Sequence, residues 1–288
     1  LNYILYHSQN SVINSKTIRK NGNLLQHSIY SKMKKYHPKF VLAYLLFKSG
    51  LCKFFKFQRH GLNFNFHKSV LAMNLFADKD YIKTDFDLLE SHLKEAEVFI
   101  DIGANIGTWS LCASKIVGSR GKVMSFEPHP SFYSYLFDNI QLNKSTNIKS
   151  YNFGLSNERD KLYFSNNNDT MNFVQIKKEV DSIVVDVERL DEFTNELEIV
   201  DLIKIDVEGY ELFVLKGGIE TLKKTKKIIF ESSLEFCQRF DYRTSDIIAF
   251  LADLNFKVYK LDDNKFQNQL PKDYQSFEHE DLIAINNF

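Results

Sequence analysis

The chain reads as an α/β protein with a doubly wound, mostly parallel sheet, and three observations predict it. Short β-branched and aromatic runs alternate with helical patterns from residue 98 onward, the arrangement that covers both faces of a parallel sheet. The stretch V-F-I-D-I-G-A-N-I-G-T-W-S at 98–110 passes from a strand through a glycine turn directly into a helix. A second strand, 122–126, ends on Glu127, 24 residues after Gly103. Together these are the parts of a nucleotide-binding βαβ unit, whose ligand lies at the carboxyl end of the first strand.

Taken in order, residues 1–37 are polar, rich in Asn and Ser, and weakly patterned, so a loosely packed segment is expected. Residues 39–57 differ sharply, with lysines at 39, 48, 53 and 56 set among aromatics. The uninterrupted apolar run, Phe40–Phe47, is too short for a bilayer, which needs about 20 residues. This segment suits an amphipathic helix, either on a membrane interface or packed on the rest of the chain with its lysines reaching water. We therefore divide the chain into a basic, partly helical extension (1–80) and a nucleotide-binding domain (81–288).

Residues 84–95 form a helix capped by Thr84, with Asp85 and Asp87 in its first turn. After the strand at Val98, the residues Trp109, Ala113, Ile116 and Val117 recur at helical spacing, and Trp109 reads as core. Ser131 caps the next helix, whose stripe is Phe132, Leu136 and Ile140. Ile148–Leu155 is a third strand, Lys161–Phe164 a hairpin arm, and 166–172 a polar loop. Ile183–Val187 is a strand and Leu190–Leu197 a short helix. Asp201–Ile205 and Ile228–Glu231 are the fourth and fifth main strands. A helix over Ser245–Leu254 and strands at 256–260 and 282–285 complete the pattern.

Net charge is zero, with 37 basic and 37 acidic side chains. That balance hides an asymmetry. Residues 1–77 carry twelve Lys/Arg and no acid, leaving 25 basic and 37 acidic residues beyond them. The basic third suits an anionic surface or the acidic remainder of the chain. Three scattered cysteines without C-x-x-C spacing suggest a reducing compartment, and no histidine pair has metal-ligand spacing. We expect no metal and no nucleic-acid partner. The Lys223, Lys224, Lys226, Lys227 run falls where a helix should end, and cations there favour the helix terminus.

The ligand is constrained by what the glycine turn lacks. Asn105 stands where a dinucleotide fingerprint has its second glycine, and no phosphate-loop motif occurs. A ligand with ribose and no phosphate fits better, and S-adenosylmethionine is one. Its expected contacts are Asp101, Gly103, Ala104, Asn105, Gly107 and Glu127, with the Glu127 carboxylate on the ribose hydroxyls. Asp206 ends the fourth strand beside the glycine turn, so Asp206 and Glu208 are the expected catalytic carboxylates. Two nearby carboxylates repel, which raises one pKa toward a value useful for proton abstraction. Either residue could instead cap the following helix. His129 is a rival base, and Glu231 could line an acceptor pocket.

The glycine turn, F-E-P-H-P at 126–130, D-L-I-K-I-D-V-E-G-Y-E at 201–211 and V-L-K-G-G at 214–218 resemble the FkbM family of S-adenosylmethionine-dependent methyltransferases, from about residue 85 to the C-terminus. The resemblance implies a class I, Rossmann-like sheet of seven strands with the last antiparallel. It also implies O-methylation of a hydroxyl on a sugar, glycan or glycolipid-type acceptor. The expected location is the cytoplasm, with contact to an anionic membrane through residues 39–59. A nicotinamide-dependent oxidoreductase and a non-catalytic membrane-binding protein are the alternatives.

Overall fold

The computed structural model describes residues 38–166, 172–262 and 265–286. The reading of residues 1–37, and most of the 166–172 loop, lie outside them. Helix α1 (Pro38–Ser49) leads through a 3-10 turn (Leu51–Phe54) to a hairpin of β1 (Lys56–Arg59) and β2 (Leu62–Asn65). Helices α2 (Val70–Ala77) and α3 (Lys83–His92) follow. Then come β3 (Val98–Ile102), α4 (Thr108–Val117), β4 (Lys122–Phe126), α5 (Pro130–Asn143) and β5 (Ile148–Tyr151). A small sheet is made of β6 (Gly154–Leu155), β7 (Asp160–Phe164), β8 (Val174–Gln175) and β9 (Ile183–Glu188). The last elements are β10 (Val200–Ile205), α6 (Glu211–Lys216), α7 (Ile219–Lys223), β11 (Thr225–Ser232), α8 (Leu234–Gln238), α9 (Thr244–Asp253), β12 (Phe256–Asp262), β13 (Lys265–Gln269) and β14 (Glu280–Asn286).

The main sheet has the order β13-β12-β14-β11-β10-β3-β4-β5. Strands β11, β10, β3, β4 and β5 pair in parallel, and β14 runs antiparallel to both of its neighbours. These strands with β12 are the seven expected; β13 adds an eighth at the edge, antiparallel to β12. Period-2 alternation divides the sheet between two cores. Phe99, Val123, Leu202 and Ile229 face one cluster with residues of α1–α5. Ile100, Met124, Ile203 and Ile228 face the other, with residues of α6, α7 and α9. All six residues of β10 are buried, as a central strand covered on both faces requires.

Several boundaries differ from the sequence reading, for local reasons. Residues 148–155 are two strands in two sheets, because the chain bends at Asn152–Phe153. Only Leu190–Glu192 is helical, as one 3-10 turn. Helix α3 begins at Lys83 with no side-chain cap from Thr84. Helix α5 is capped by His129 rather than Ser131: Nδ1 of His129 accepts from the Ser131 N–H at 3.2 Å, and Pro130 takes the first helical position. Residues 39–57 form a helix, a turn and then β1, since Gly50 ends the helix early. Ala43, Leu46, Phe47, Phe64 and Leu75 share a core with Leu111 and Leu136. The described part of the N-terminal extension therefore packs into the same layer as α4 and α5.

Candidate active site

The switch of winding falls between β3 and β10, since β3 leads to β4 on one side while β10 lies on the other. A cavity of about 1350 Å³ opens at the carboxyl ends of these strands, where open α/β sheets bind ligands. At one end stands the glycine turn. The N–H groups of Gly103 and Ala104 both donate to the Phe126 carbonyl at 3.0 Å, tying the turn to the end of β4. Gly103 has φ +82°, and a Cβ there would lie 1.9 Å from the Asp206 carbonyl oxygen. Only glycine lets the first turn approach the end of β10 so closely.

Glu127 is buried at the tip of β4. Its Oε2 accepts from the Asn105 N–H and its Oε1 from the His129 N–H, each at 2.8 Å. Burial pushes its pKa up to about 7, against those two hydrogen bonds. Each oxygen keeps a second lone pair, so the carboxylate is held in place and can still accept from a diol. Nearby, the buried Asn105 Oδ1 has no hydrogen-bond partner among the described residues. An anchored acceptor beside an orphaned one fits a polar ligand with hydroxyl and amine donors. S-adenosylmethionine is such a ligand. Asn105 sits in the left-handed region, φ +51°, with its N–H spent on Glu127, so it does not offer that N–H to a pyrophosphate.

Gly103, Ala104, Asn105, Glu127, Asp206 and Glu208 all line this cavity. Asp101 and Gly107 do not. Asp101 is fully buried, accepts from the Ser110 hydroxyl and lies beside Lys204, its partner in the β10–β3 register. Gly107 opens α4 against Leu136. Both sit behind the cavity wall.

The other end of the cavity is acidic. Register places Ile205 opposite Phe230 and Glu231 opposite Asp281, so Asp206, Glu231 and Asp281 stand in a row across β10, β11 and β14. Oxygens of Asp206, Glu208 and Glu231 lie within 4.8 Å of one another, a set that could hold a divalent cation. Two of the three already have nitrogen partners: Lys204 Nζ is 3.0 Å from Asp206 Oδ2, and His279 Nδ1 is 2.9 Å from Glu231 Oε1. Burial disfavours charge on Lys204, but Asp206 and Asp101 outweigh it and raise its pKa. Burial, then Asp206, Glu231 and Glu211, holds the Glu208 pKa well above the ordinary carboxylate range. Glu208 also sits at φ +56°, a conformation that costs a non-glycine residue about 1–3 kcal/mol.

Neither Asp206 nor Glu208 caps the next helix. That helix starts after Tyr210 without a side-chain cap; Glu211 instead holds the preceding loop, its Oε1 accepting from the N–H groups of Val207 at 3.3 Å and Gly209 at 3.1 Å. The two carboxylates are thereby left to the cavity. His129 is used otherwise: Nδ1 accepts from Ser131, and Nε2 meets Asn166 Oδ1 at 2.9 Å. With Nδ1 an acceptor, Nε2 is the donor to Asn166, so the ring is a neutral cap with both nitrogens engaged.

Sequence reasoning missed Lys204, Asp85 and His279. Lys204 had a signal, a lysine inside an otherwise apolar central strand. Asp85 reads as a first-turn helix acid yet lines the cavity, with burial pushing its pKa to about 6. Trp109 also lines the cavity, its ring 5.7 Å from Lys204 Nζ. The lysine run at 223–227 is fully engaged by the protein. Lys223 pairs with Glu220 and Lys226 with Asp201, while Lys224 and Lys227 donate to backbone carbonyls.

Fold and cavity together define a class I S-adenosylmethionine-dependent methyltransferase domain. The profile of the Methyltransferase FkbM domain matches residues 101–258, more than half of the chain. The chain belongs to the FkbM methyltransferase family. It is 29% identical over 160 residues to hexuronic acid methyltransferase AglP of Haloferax volcanii, covering 55% of this chain and 63% of that protein. It is 33% identical over 162 residues to methyltransferase sdnD of Sordaria araneosa, covering 44% and 62%. The chain thus spans a little under two thirds of the length of these relatives. A S-adenosylmethionine-dependent O-methyltransferase of Thermotoga maritima is similar over 72% of this chain and 65% of its own, at 14% identity and a TM-score of 0.40.

Proposed function

We propose that this protein transfers a methyl group from S-adenosylmethionine to a hydroxyl of a sugar, glycan or glycolipid-type acceptor. One observation carries the reading: the diol-type acceptor Glu127 and the carboxylates Asp206 and Glu208 share a single cavity of about 1350 Å³. That exceeds the roughly 300–1,000 Å³ of a site for one small ligand, leaving room for cofactor and acceptor together. A relative named for hexuronic acid methylation supports a sugar acceptor. Membership of a methyltransferase family sets the oxidoreductase alternative aside.

When bound, S-adenosylmethionine supplies an electrophilic methyl group on a sulfonium. Gly103, Ala104, Asn105 and Glu127 hold that ligand at the first turn. Asp101 and Gly107 support the turn from behind. Lys204 orients the Asp206 carboxylate, which positions the acceptor by accepting from a hydroxyl beside the reacting one. Glu208, held above the ordinary carboxylate range by burial and its neighbouring carboxylates, receives the proton of the reacting hydroxyl. A base so tuned contributes about 10²–10⁴-fold, and positioning contributes several kcal/mol more.

A specific feature favours work at a membrane surface. Helix α1 and the turn after it bury Ala43, Leu46, Phe47 and Cys52 but expose Val41, Leu42, Leu45 (58%) and Phe54 (73%) beside Lys39, Lys48, Lys53 and Lys56. Phe47 and Lys48 also reach the cavity. Among the described residues no helix is long and apolar enough to cross a membrane. We read this patch as a shallow anchor on an anionic leaflet, at the mouth of the cavity where a lipid-linked acceptor would enter.

Two measurements test the transfer reading. S-adenosylhomocysteine at 100 times its Kd should stabilise the protein by about 2.7 kcal/mol, and NAD should not. Methyl-labelled S-adenosylmethionine should label saccharides in a panel of neutral and acidic sugars. Stabilisation by NAD alone, or label appearing only in protein or nucleic acid, overturns the reading.

A further inference from the structure

At the acceptor end of the cavity, Arg239 is held in an unusual way. Its guanidinium carbon lies 4.5 Å from the ring centroids of both Phe173 and Phe236. Phe236 is buried on α8, and Phe173 comes from the segment leading into β8 of the small sheet. All three residues line the cavity. Stacking fixes the plane of the guanidinium while leaving its N–H edge free to bind. Among the described residues, the side-chain hydrogen-bond partner of that edge is Glu235, at 3.5 Å and mostly exposed. A five-donor fork is therefore preorganised in the cavity with, among the described residues, one long, solvated hydrogen bond.

The surroundings make the placement informative. The neighbouring cavity wall carries Asp206, Glu208, Glu231 and Asp281. Arg239 is close enough to that wall for its charge to favour the ionised form of Glu208, yet among the described residues its fork hydrogen-bonds to none of the four carboxylates. An anionic acceptor entering among those carboxylates would be repelled unless a cation with free donors met its charge. We propose that Arg239 binds an anionic group, a carboxylate or phosphate, on the methyl acceptor, so that the substrate is an acidic or phosphorylated sugar. This rests on the sugar-hydroxyl reading above and names its substrate class. A fork–carboxylate or fork–phosphate pair made by a preorganised arginine is worth about 10- to 100-fold in affinity.

The test uses the full chain saturated with S-adenosylhomocysteine and titrated calorimetrically with glucuronate, glucose 6-phosphate, glucose and inorganic phosphate. The expected result is that one charged sugar binds at least tenfold more tightly than glucose. Arg239→Gln should abolish that preference and Arg239→Lys should keep part of it. Glu235→Gln, which removes the competing carboxylate, should strengthen binding several-fold. Unchanged S-adenosylhomocysteine affinity in each variant shows that the fold is intact. If glucose binds as well as the charged sugars and Arg239→Gln alters neither, the Arg239 proposal fails while the sugar reading stands. If no sugar binds but inorganic phosphate does, in an Arg239-dependent way, the sugar reading fails and the anion site stands. Failure of all four to bind overturns both.

Discussion

The Lys204 ammonium sits 3.0 Å from the Asp206 carboxylate, so a side chain buried in the central strand orients one that faces the cavity. The same ammonium lies 3.9 Å from the fully buried Asp101. One cation thus joins the support behind the glycine turn to the acidic end of the site.

Replacing Lys204 with Met should cost about 3–5 kcal/mol, the penalty for leaving a buried charge uncompensated. Burial already raises the Asp101 pKa, against Lys204 and Ser110. Without Lys204 it rises further, and the deficit should shrink from pH 8 to pH 5, because proton uptake by Asp101 relieves the uncompensated charge. Urea unfolding at the two pH values measures this; equal stability of variant and wild type at pH 8 shows that the pair is solvated.

Replacing Glu127 with Gln should weaken S-adenosylhomocysteine binding about 10–100-fold. It should also change the pH dependence of stability. The folded pKa of about 7 lies above the ordinary 4.5, so Glu127 contributes stability that is full below about pH 4.5 and lost as pH rises through 7. At about 1.4 kcal/mol per pKa unit, the apo variant should lose roughly 2–4 kcal/mol less than wild type between pH 5 and 8. Parallel profiles would remove burial as the source of the shift.

Asp206→Asn should keep cofactor affinity and lose most turnover, with stability within about 1 kcal/mol because the pair is open to solvent on the Asp206 side. Glu208→Gly should separate stability from activity. It relieves a left-handed strain of about 1 kcal/mol or more and removes the proposed proton acceptor. A higher melting temperature with turnover down at least 100-fold is expected. Retained turnover would assign the proton transfer elsewhere.

EDTA should leave methyl transfer unchanged, since Lys204 and His279 already stand against two of the three clustered carboxylates. His279 is favoured in its charged form: burial opposes that charge, but the hydrogen bond and charge of Glu231 outweigh it. Loss of activity restored by Mg²⁺ would show that the Asp206, Glu208 and Glu231 cluster works as a metal site.

The full chain should sediment with acidic vesicles at low salt and be released as salt rises, because exposed charges are screened. Leu45→Glu with Phe54→Glu should abolish sedimentation and, both residues being exposed, change stability by no more than about 1 kcal/mol. Wild-type protein that stays in solution at low salt would limit α1 to a packing role.

Much of the site was legible because its parts are local. Gly103, Asn105 and Glu127 belong to one βαβ unit, where strand length and helix pitch hold a fixed spacing close in space. Asp206 and Glu208 follow a strand whose apolar run is unmistakable. The capping question was not legible. Asp206, Glu208 and Glu211 are all carboxylates near one helix start, and their side-chain directions depend on the left-handed backbone at Glu208 and Gly209. Gly209 itself is required where a Cβ would meet the Phe236 carbonyl at 2.7 Å, a contact across 27 positions of chain.

By itself, the sequence determined the doubly wound sheet, the glycine turn and its acid, and the position of Asp206 and Glu208 after a strand end. These follow from hydrophobic period, backbone freedom at glycine and helix or strand signals, which act over a few residues. Only the tertiary structure decided that Lys204 stands between Asp101 and Asp206, that Asp206, Glu231 and Asp281 form one row, and that Arg239 is held between Phe173 and Phe236. Those arrangements depend on register between strands 25 to 103 positions apart and on the segment before β8 meeting the end of α8. Burial and electrostatics select them together, and no local pattern in the chain encodes them.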